Sequence, residues 1–310
     1  MRSFLKNGVG GGLERIEEWQ EKCWINIECP DRNDEYLILN KLNVPEWFYK
    51  DIEDIDERPR IETEDEWTMV LLRIPYKTKD ENLPFSTIPL GIIFNDEVVL
   101  SVCFFETDLI HDFIAYTKRK NIFIENNYDF VLKLLLSSSI WFLKYLKQIN
   151  LQIKTAEEKL EKSIKNEDLQ TLLQIEKCLV YFMTSLKSND ILLHKVKNIL
   201  SRKEGFDLEL VEDVEVELKQ ALELTNIYSD ILSGMMDAYA SVISNNLNVV
   251  MKRLTSISII LMIPTLIASM YGMNVPNSFE NHNYGFWFII LFSFVLSTSG
   301  VLFFKSRNWL

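Results

Sequence analysis

The sequence predicts an α+β N-terminal cytoplasmic domain, a long helical stalk that continues into a membrane, and two C-terminal transmembrane helices. Three observations support this fold class. Short apolar runs separated by glycine and proline fill the first ninety residues. Between Asp108 and Ile263 proline is absent and apolar residues recur at helical spacing. Within residues 254–304 the only charged residue is Glu280, which excludes a purely soluble protein.

Residues 1–125 are expected to form the α/β domain. The Gly-rich segment 1–12 has no apolar core of the kind found in signal peptides, so we expect it to be retained and mobile. Alternating and turn-flanked apolar runs define the other elements. They are strands at 24–29 and 67–74, a helix at 45–55 with Trp47, Phe48 and Ile52 on one face, and a hairpin of 88–94 and 97–104 around Asn95 and Asp96.

Several long helices follow this domain. Residues 126–205 are predicted to form a cytoplasmic helical hairpin, and the helical pattern breaks near Asn121, near Asn166 and at Gly205. The last helix begins near Asp207 and meets no strong stop before Tyr271. Its length is about 65 residues, or about 100 Å at 1.5 Å per residue. Residues 206–253 are therefore expected to be the cytoplasmic part of a helix that enters the membrane, where the proline at position 264 is tolerated.

Two uncharged runs near the C-terminus are long enough to be membrane spans. Residues 254–271 and 286–304 contain 18 and 19 residues, and each crosses a hydrocarbon core of about 30 Å as a helix. Residues 272–285 are then a short outer loop, which has no room for an outer domain. The chain is therefore predicted to be an integral membrane protein that contacts lipid.

Lysine and arginine flank these runs on one side of the membrane only. Lys252 and Arg253 precede the first run, Lys305 and Arg307 lie in the basic tail 305–310, and the outer loop has neither residue type. Because cytoplasmic loops carry an excess of lysine and arginine, both termini are predicted to lie in the cytoplasm, with the protein in the cell membrane. The net charge of −12 argues against a nucleic-acid partner and is compatible with cations.

Other classes of site find little support. The four cysteines have no C-x-x-C spacing and lie on the inferred cytoplasmic side, so we expect them to be reduced. His111, His194 and His282 have no metal-ligand spacing, which argues against a structural zinc site. Neither a Gly-rich phosphate loop nor a nucleophile with its base is recognisable. We therefore expect neither an enzyme nor a resident cofactor.

A polar stripe runs along the last long helix at alternating steps of four and three residues. A 3.5-residue period keeps one face of a helix turned toward its partners. Small polar residues on that face either allow close helix packing or line a water-filled pore built from identical chains, with constrictions at Met251 and Met262 and a carboxylate ring at Asp237. The stripe consists of Asp237, Ser241, Ser244, Asn248, Met251, Thr255, Ser258, Met262, Thr265 and Ser269.

The sequence Tyr271-Gly272-Met273-Asn274 stands at the outer end of this helix. Together with Met251-Lys252-Arg253-Leu254-Thr255 about 20 residues earlier and the terminal Trp309-Leu310, it resembles the CorA family of magnesium transporters, whose signature is Y-G-M-N. The resemblance is specific over about residues 237–310. It implies a funnel-shaped homopentamer with one axial pore, which the first span lines, while the second span faces lipid and the cytoplasmic domains form the funnel and gate.

The resemblance also implies roles for individual residues. Gly272, Met273 and Asn274 would form the selectivity filter, where five Asn274 carbonyl oxygens bind Mg²⁺ through its water shell, because this ion gives up water reluctantly. Leu254 competes with Thr255 for the inward face near the membrane entrance. The family's pore positions fall here on Asp237, Met251, Leu254, Ser258, Met262, Thr265 and Ser269.

The outer loop departs from the acidic Met-Pro-Glu run of many magnesium-transporting relatives. It reads Val275-Pro276-Asn277-Ser278-Phe279-Glu280, so we expect weaker attraction of ions to the outer mouth. Zinc-carrying members share the Y-G-M-N signature, and the signature alone therefore does not select the metal.

A gate is expected, because an inside-negative potential drives a divalent cation inward with about 4.6 kcal/mol per 100 mV. The resemblance suggests that intracellular Mg²⁺ bound between cytoplasmic domains holds the closed state. Asp213 is the first candidate ligand, from its spacing to the signature, and the alternative for every candidate is a solvated acidic helix face. The candidates are Asp207, Glu209, Glu212, Asp213, Glu215 and Glu217, opposed by the cluster Asp51, Glu53, Asp54, Asp56 and Glu57.

Three functional hypotheses follow. The first is a channel-like Mg²⁺ transporter, with Co²⁺ and Ni²⁺ as further ions, in which Mg²⁺ is both substrate and regulatory ligand. The second is a zinc or other divalent-metal transporter of the same family. The third is a membrane-anchored coiled-coil scaffold that conducts no ion. Replacement of Asn274 by alanine abolishes flux or selectivity under the first two hypotheses and has no effect under the third.

Overall fold

The computed structural model describes residues 2–80, 82–162, 166–202, 207–274 and 284–309. The chain divides into two compact units, Met1–Gly234 and Met235–Leu310, and their boundary falls inside the longest helix. The first unit contains a mixed sheet with helices, and the second contains two apolar helices. The predicted fold class is confirmed.

The sheet of the first unit has seven strands in the order β2-β1-β3-β7-β6-β5-β4. Strands β3 and β7 are parallel, and every other neighbouring pair is antiparallel. The strands are β1 (Arg2–Asn7), β2 (Leu13–Ile16), β3 (Trp24–Glu28), β4 (Arg60–Glu64), β5 (Trp67–Lys77), β6 (Phe85–Phe94) and β7 (Val99–Cys103).

Helices follow strands β3 and β7, and after β7 the described elements are all helices. A short α1 continues directly into a π-helical turn at Leu37–Lys41. The helices are α1 (Arg32–Tyr36), α2 (Glu46–Glu53), α3 (Asp108–Lys120), α4 (Asn127–Lys162), α5 (Asn166–Leu200), α6 (Leu208–Tyr271) and α7 (Gly285–Ser306).

Helices cover both faces of the sheet, because successive strand residues point to opposite sides. On one face, Phe48 and Ile52 of α2 are fully buried in a cluster with sheet residues such as Met69. On the other face, the Trp24 ring makes edge contacts with Phe113 of α3 and with a phenylalanine of α4. Phe85, at the start of β6, packs against Tyr145 of α4 and Phe182 of α5. The first unit therefore has three layers.

Most of the predicted strands and helices are confirmed. The strand expected at 24–29 is β3, the strand at 67–74 is β5, and the helix at 45–55 is α2. The predicted hairpin is β6 and β7, and the Asn95 side-chain oxygen accepts hydrogen bonds from the backbone N–H groups of Glu97 and Val98 at its turn. Asn121 ends α3 in the left-handed conformation, as the predicted break requires. Of the other predicted breaks, Asn166 begins α5, and Gly205 lies outside the described residues.

The prediction of a mobile segment at 1–12 is wrong. Residues Arg2–Asn7 form strand β1, which is hydrogen-bonded to β2 and β3. Gly11 and Gly12 have positive φ angles, and the Gly12 N–H donates to the Ile122 carbonyl at 2.8 Å. These glycines therefore allow the backbone to pack closely against the end of α3, and they do not make the segment mobile.

Strands β2 and β4 and helix α1 were not predicted from the sequence. The segment Arg60–Glu64 carries three charged residues and occupies one edge of the sheet, where one side of the strand faces solvent. β2 occupies the opposite edge. Edge strands of this kind have few apolar residues, and the alternation that indicates a strand is correspondingly weak.

Among the described residues, α6 and α7 are the helices that are long and apolar enough to cross a membrane. Helix α7 packs on α6 where Gly300 lies opposite Ile260 and Ile263. A Cβ atom built on Gly300 would stand 3.5 Å from the Ile263 Cδ1 atom, which is ordinary van der Waals contact. Small residues allow such close approach of helices in membranes.

Candidate ion pathway and regulatory carboxylates

The polar stripe is exposed along its whole length. All ten stripe residues are classed as exposed, and so is Leu254. The residues of α6 that lose exposure in the span are different ones, namely Ser256, Ile260, Ile263, Pro264, Ile267 and Tyr271. At about 100° per residue, this second set lies about 180° around the helix from the stripe. Helix α7 therefore packs on the opposite side of α6 and leaves the stripe open.

Hydroxyl groups on the stripe present lone pairs outward. Ser241, Ser258 and Thr265 each donate their hydroxyl proton to the backbone carbonyl four residues earlier, at 2.9–3.0 Å. A hydroxyl has one proton and two acceptor sites. Because the proton is engaged within the helix, each oxygen is left as an acceptor, which suits the water shell of a hydrated cation.

The apolar members of the pathway are also exposed. Met251 and Met262 are 52% and 67% exposed, so both thioethers project from the stripe. Leu254 and Thr255 lie about 50° on either side of the stripe's centre line, counting 100° per residue. The geometry of a single helix therefore does not decide which of the two residues faces the stripe side, and both stay candidates for the pore-lining position.

The Y-G-M-N signature forms the end of α6. The helix ends at Tyr271, and the Gly272 N–H donates to the Ala268 carbonyl at 2.9 Å. A Cβ atom at Gly272 would lie 3.3 Å from that same carbonyl oxygen, so glycine permits this tight turn without displacement. Met273 and Asn274 are exposed beyond it. Residues 275–283, with Glu280 and His282, lie outside the described residues.

The candidate regulatory carboxylates line the early turns of α6. Glu209, Glu212 and Asp213 are exposed, whereas the buried face of the same turns carries Val211 and Val214. The exposed face of these turns therefore presents three carboxylates to solvent.

Two other candidates already have partners. The Asp207 carboxylate accepts the Leu210 backbone N–H at 3.0 Å and caps the helix. Glu215 accepts a hydrogen bond from the Lys197 ammonium at 2.7 Å, and this bond lowers the pKa of Glu215. Glu217 is half-buried. Asp207 and Glu215 therefore hold the base of α6 in place.

The opposing acidic cluster surrounds an arginine that the sequence reasoning missed. The Arg60 guanidinium forms ion pairs with Asp51 and Glu57 and lies 3.2 Å from the Glu62 carboxylate. Burial raises the pKa of Asp51, and Arg60 acts in the opposite direction. One cation meets three carboxylates, so an excess of about two negative charges remains. The only sequence signal was the presence of two arginines, Arg58 and Arg60, in an otherwise acidic stretch.

Within one chain, no cluster of three or more histidine, cysteine, aspartate or glutamate side chains in the described residues has the arrangement of a metal site. Of the exposed cluster residues, Glu53 ends α2, and Asp54 and Asp56 lie on the α2–β4 connection.

The family model of CorA-like Mg²⁺ transporter proteins matches residues 19–306. The chain belongs to the CorA family. The resemblance first seen over residues 237–310 thus covers nearly the whole sequence and includes the α/β domain. The expectation of a transport protein rather than an enzyme is confirmed by this membership.

Relatives and solved structures agree with the CorA assignment. The chain is 26% identical to the cobalt/magnesium transport protein CorA of Methanocaldococcus jannaschii over 92% of its length and 90% of the relative. It is also 26% identical to the protein of the same name from Thermotoga maritima, over 93% of its length and 83% of the relative. The complete structure of the CorA magnesium transporter from M. jannaschii superposes with a TM-score of 0.83 at 22% identity, covering 100% of this chain and 99% of that one. The similarity in structure supports the CorA fold.

Proposed function

We propose that this CorA-family protein moves Mg²⁺ across the cell membrane into the cytoplasm, and that its pore is lined by the polar stripe of α6. The observation that carries the proposal is the stripe itself, which is exposed from Asp237 to Ser269 on the side of α6 opposite α7. The relatives named cobalt/magnesium transport proteins support Mg²⁺ as substrate and Co²⁺ as a second ion, and Ni²⁺ is a third candidate.

Assembly follows from the number of spans. Two helices enclose no pore, whereas identical copies around one axis bring their stripes together. We take the number of copies to be five, as the CorA resemblance implies. Helix α7 then lies outside, where its exposed apolar side chains, such as Leu291, Phe294 and Leu302, meet lipid. Both termini lie in the cytoplasm according to the lysine and arginine distribution.

Asn274 is the proposed ion-binding residue of the filter, and Gly272 and Met273 set its backbone. Five amide carbonyl oxygens at the end of α6 accept hydrogen bonds from the waters around Mg²⁺, so the ion is held without losing its shell. A ring of carboxylates would bind more tightly and slow release. The neutral amide therefore favours passage.

Regulation is proposed to use the same ion on the cytoplasmic side. Asp213, with Glu212 and Glu209, faces the acidic cluster of a neighbouring protomer, and Mg²⁺ bridges the two. Because the bridge forms only when the protomers lie close together, intracellular Mg²⁺ stabilises the closed state. This feedback opposes an inward driving force of about 4.6 kcal/mol per 100 mV.

Cysteine accessibility tests the route. In a Cys29→Ser background, Ser258→Cys and Thr265→Cys place thiols on the stripe, and Ser256→Cys and Thr298→Cys are matched controls off the stripe. A positively charged methanethiosulfonate reagent should block Mg²⁺ uptake into proteoliposomes in the first pair and leave the second pair unaffected. Equal block in all four variants, or in none, would contradict a pore along the stripe.

Two alternatives predict different results in the same vesicles. A zinc transporter admits Zn²⁺ and excludes Mg²⁺, which would keep the architecture and change the substrate. A scaffold admits neither ion, and Asn274→Ala then has no effect. Uptake of Mg²⁺ that is lost in Asn274→Ala supports the proposal against both alternatives.

A further inference from the structure

One arginine ties the acidic connection between α2 and β4 to the sheet. Arg73 lies on β5, and its guanidinium donates to the backbone carbonyls of Ile55, at 2.5 Å, and Glu57, at 3.1 Å. These two residues flank Asp56, one of the acidic residues proposed to face the neighbouring protomer. The backbone of residues 55–57 is therefore fixed by one side chain.

The same guanidinium is anchored on the neighbouring strand β6. Its Nη2 atom donates to the Thr87 carbonyl at 2.7 Å, and Nε and Nη2 contact the Thr87 hydroxyl at 3.2 and 3.1 Å. All of these acceptors are neutral. Burial lowers the pKa of Arg73, and Asp56 and Asp54 oppose that shift. A half-buried cation is thus placed between neutral acceptors and the acids of residues 54–57.

Arg73 is fixed in turn by α5. The fully buried Asn189 side chain accepts the Arg73 backbone N–H at 3.0 Å and donates to the Arg73 carbonyl at 2.7 Å. The Ser185 hydroxyl lies 2.7 Å from the Thr87 hydroxyl. Three turns further along α5, Lys197 pairs with Glu215 of α6. Polar contacts therefore join residues 55–57 through Arg73 to one part of α5, and a separate ion pair joins the C-terminal part of α5 to the base of α6.

We propose that Arg73 is a positioning residue for Mg²⁺ sensing. It holds the acidic connection against α5, so that the effect of Mg²⁺ binding at the connection is transmitted to α6. This inference rests on the proposed feedback by Mg²⁺. The planar fork of arginine reaches both carbonyls of the connection and Thr87 together, whereas a lysine ammonium is a point charge that cannot span them in fixed geometry. The role of the Arg73 side chain therefore depends on the geometry of its guanidinium and not on its positive charge alone.

The variant Arg73→Lys separates position from charge. The full-length protein is purified, and the Mg²⁺ concentration that half-protects it from a protease is measured alongside its thermal unfolding in EDTA. We expect Arg73→Lys to raise the half-protecting concentration about tenfold, which corresponds to 1.4 kcal/mol. The matched control Arg119→Lys, an exposed arginine on α3, should stay within about twofold of the wild type.

A second variant covers the case in which Arg73→Lys folds poorly. Thr87→Val keeps the shape of the side chain and removes the hydroxyl that faces Arg73, so we expect a shift in the same direction of about threefold. A lower unfolding temperature with an unchanged half-protecting concentration in either variant would show a purely structural role and overturn the inference. A wild type that shows no Mg²⁺ protection would instead overturn the feedback proposal, and the inference with it.

Discussion

The contact between Gly91 of β6 and Ile52 of α2 gives a prediction that can be worked from distances. A Cβ atom at Gly91 would stand 2.1 Å from Ile52 Cδ1 and 2.4 Å from Cγ1, and Ile52 is fully buried. Gly91→Ala therefore forces Ile52 or α2 to shift, and overpacking of this kind costs about 1–3 kcal/mol. Ile52→Ala alone leaves a cavity and costs about 2–5 kcal/mol.

The double variant tests the stated cause. In Gly91→Ala/Ile52→Ala the clashing atoms are gone and the new methyl group fills part of the cavity, so the double variant should be no less stable than Ile52→Ala. The coupling free energy should favour the double variant by about 1–3 kcal/mol. Chemical denaturation of the full-length protein measures all three variants. Gly234→Ala is the control, because nothing lies within 4 Å of the added atom; it should stabilise the helix by up to about 1 kcal/mol. Additive losses in the double variant would refute the packing argument.

Three further predictions concern other parts of the molecule. Lys197 lowers the pKa of Glu215, so this pair stabilises the fold above the unfolded-state pKa of about 4.3 and loses its contribution as the pH falls below that value. Glu215→Gln should therefore lower the free energy of unfolding by less than about 1 kcal/mol at pH 7, because the pair is partly exposed. The difference in stability from the wild type should disappear as the pH falls, which acid denaturation curves measure. A difference that grows in acid would contradict the direction of the pKa shift. Gly11→Ala should destabilise the protein by more than about 1 kcal/mol, because its φ is +86° and the new Cβ would lie 2.4 Å from the Asn121 carbonyl oxygen, whereas Gly10→Ala, which meets nothing, should be neutral in thermal unfolding. Thr265→Val should reduce Mg²⁺ uptake about tenfold, a barrier change of about 1.4 kcal/mol, while Thr298→Val on α7 should leave uptake unchanged; equal effects would count against a pore along the stripe.

The membrane half was the part of the fold that the sequence predicted best. A span of 18 apolar residues has few alternative structures, and a heptad stripe is a local property of one helix that does not depend on tertiary contacts. The stripe residues therefore lie on one face of α6, and their role in lining a pore stays a prediction. In the α/β domain, β3, β5 and the β6–β7 hairpin were predicted because their alternation and the Asn95 turn are local signals.

The elements that were missed depend on distant partners. Strand β1 belongs to a Gly-rich segment of a kind that is typically mobile. Hydrogen bonds with β2 and β3, and contact of the following glycines with the end of α3, hold it in place. The charged β4 is a strand only because β5 pairs with it. In the candidate regulatory region, the sequence singled out Asp213 but did not rank the acids of the 51–57 cluster, since the pairing of Asp51 with Arg60 and of Glu215 with Lys197 depends on tertiary structure.

Uptake of Mg²⁺ driven by membrane potential tests the central claim most directly. Proteoliposomes that contain the wild type or Asn274→Ala, with a fluorescent Mg²⁺ indicator inside, are held at a series of potassium diffusion potentials. We predict that Mg²⁺ entry through the wild type rises as the interior becomes more negative and that entry is lost in Asn274→Ala. Mg²⁺ entry that does not depend on the membrane potential, or that is equal in the two proteins, would contradict a pore with its ion-binding residue at Asn274.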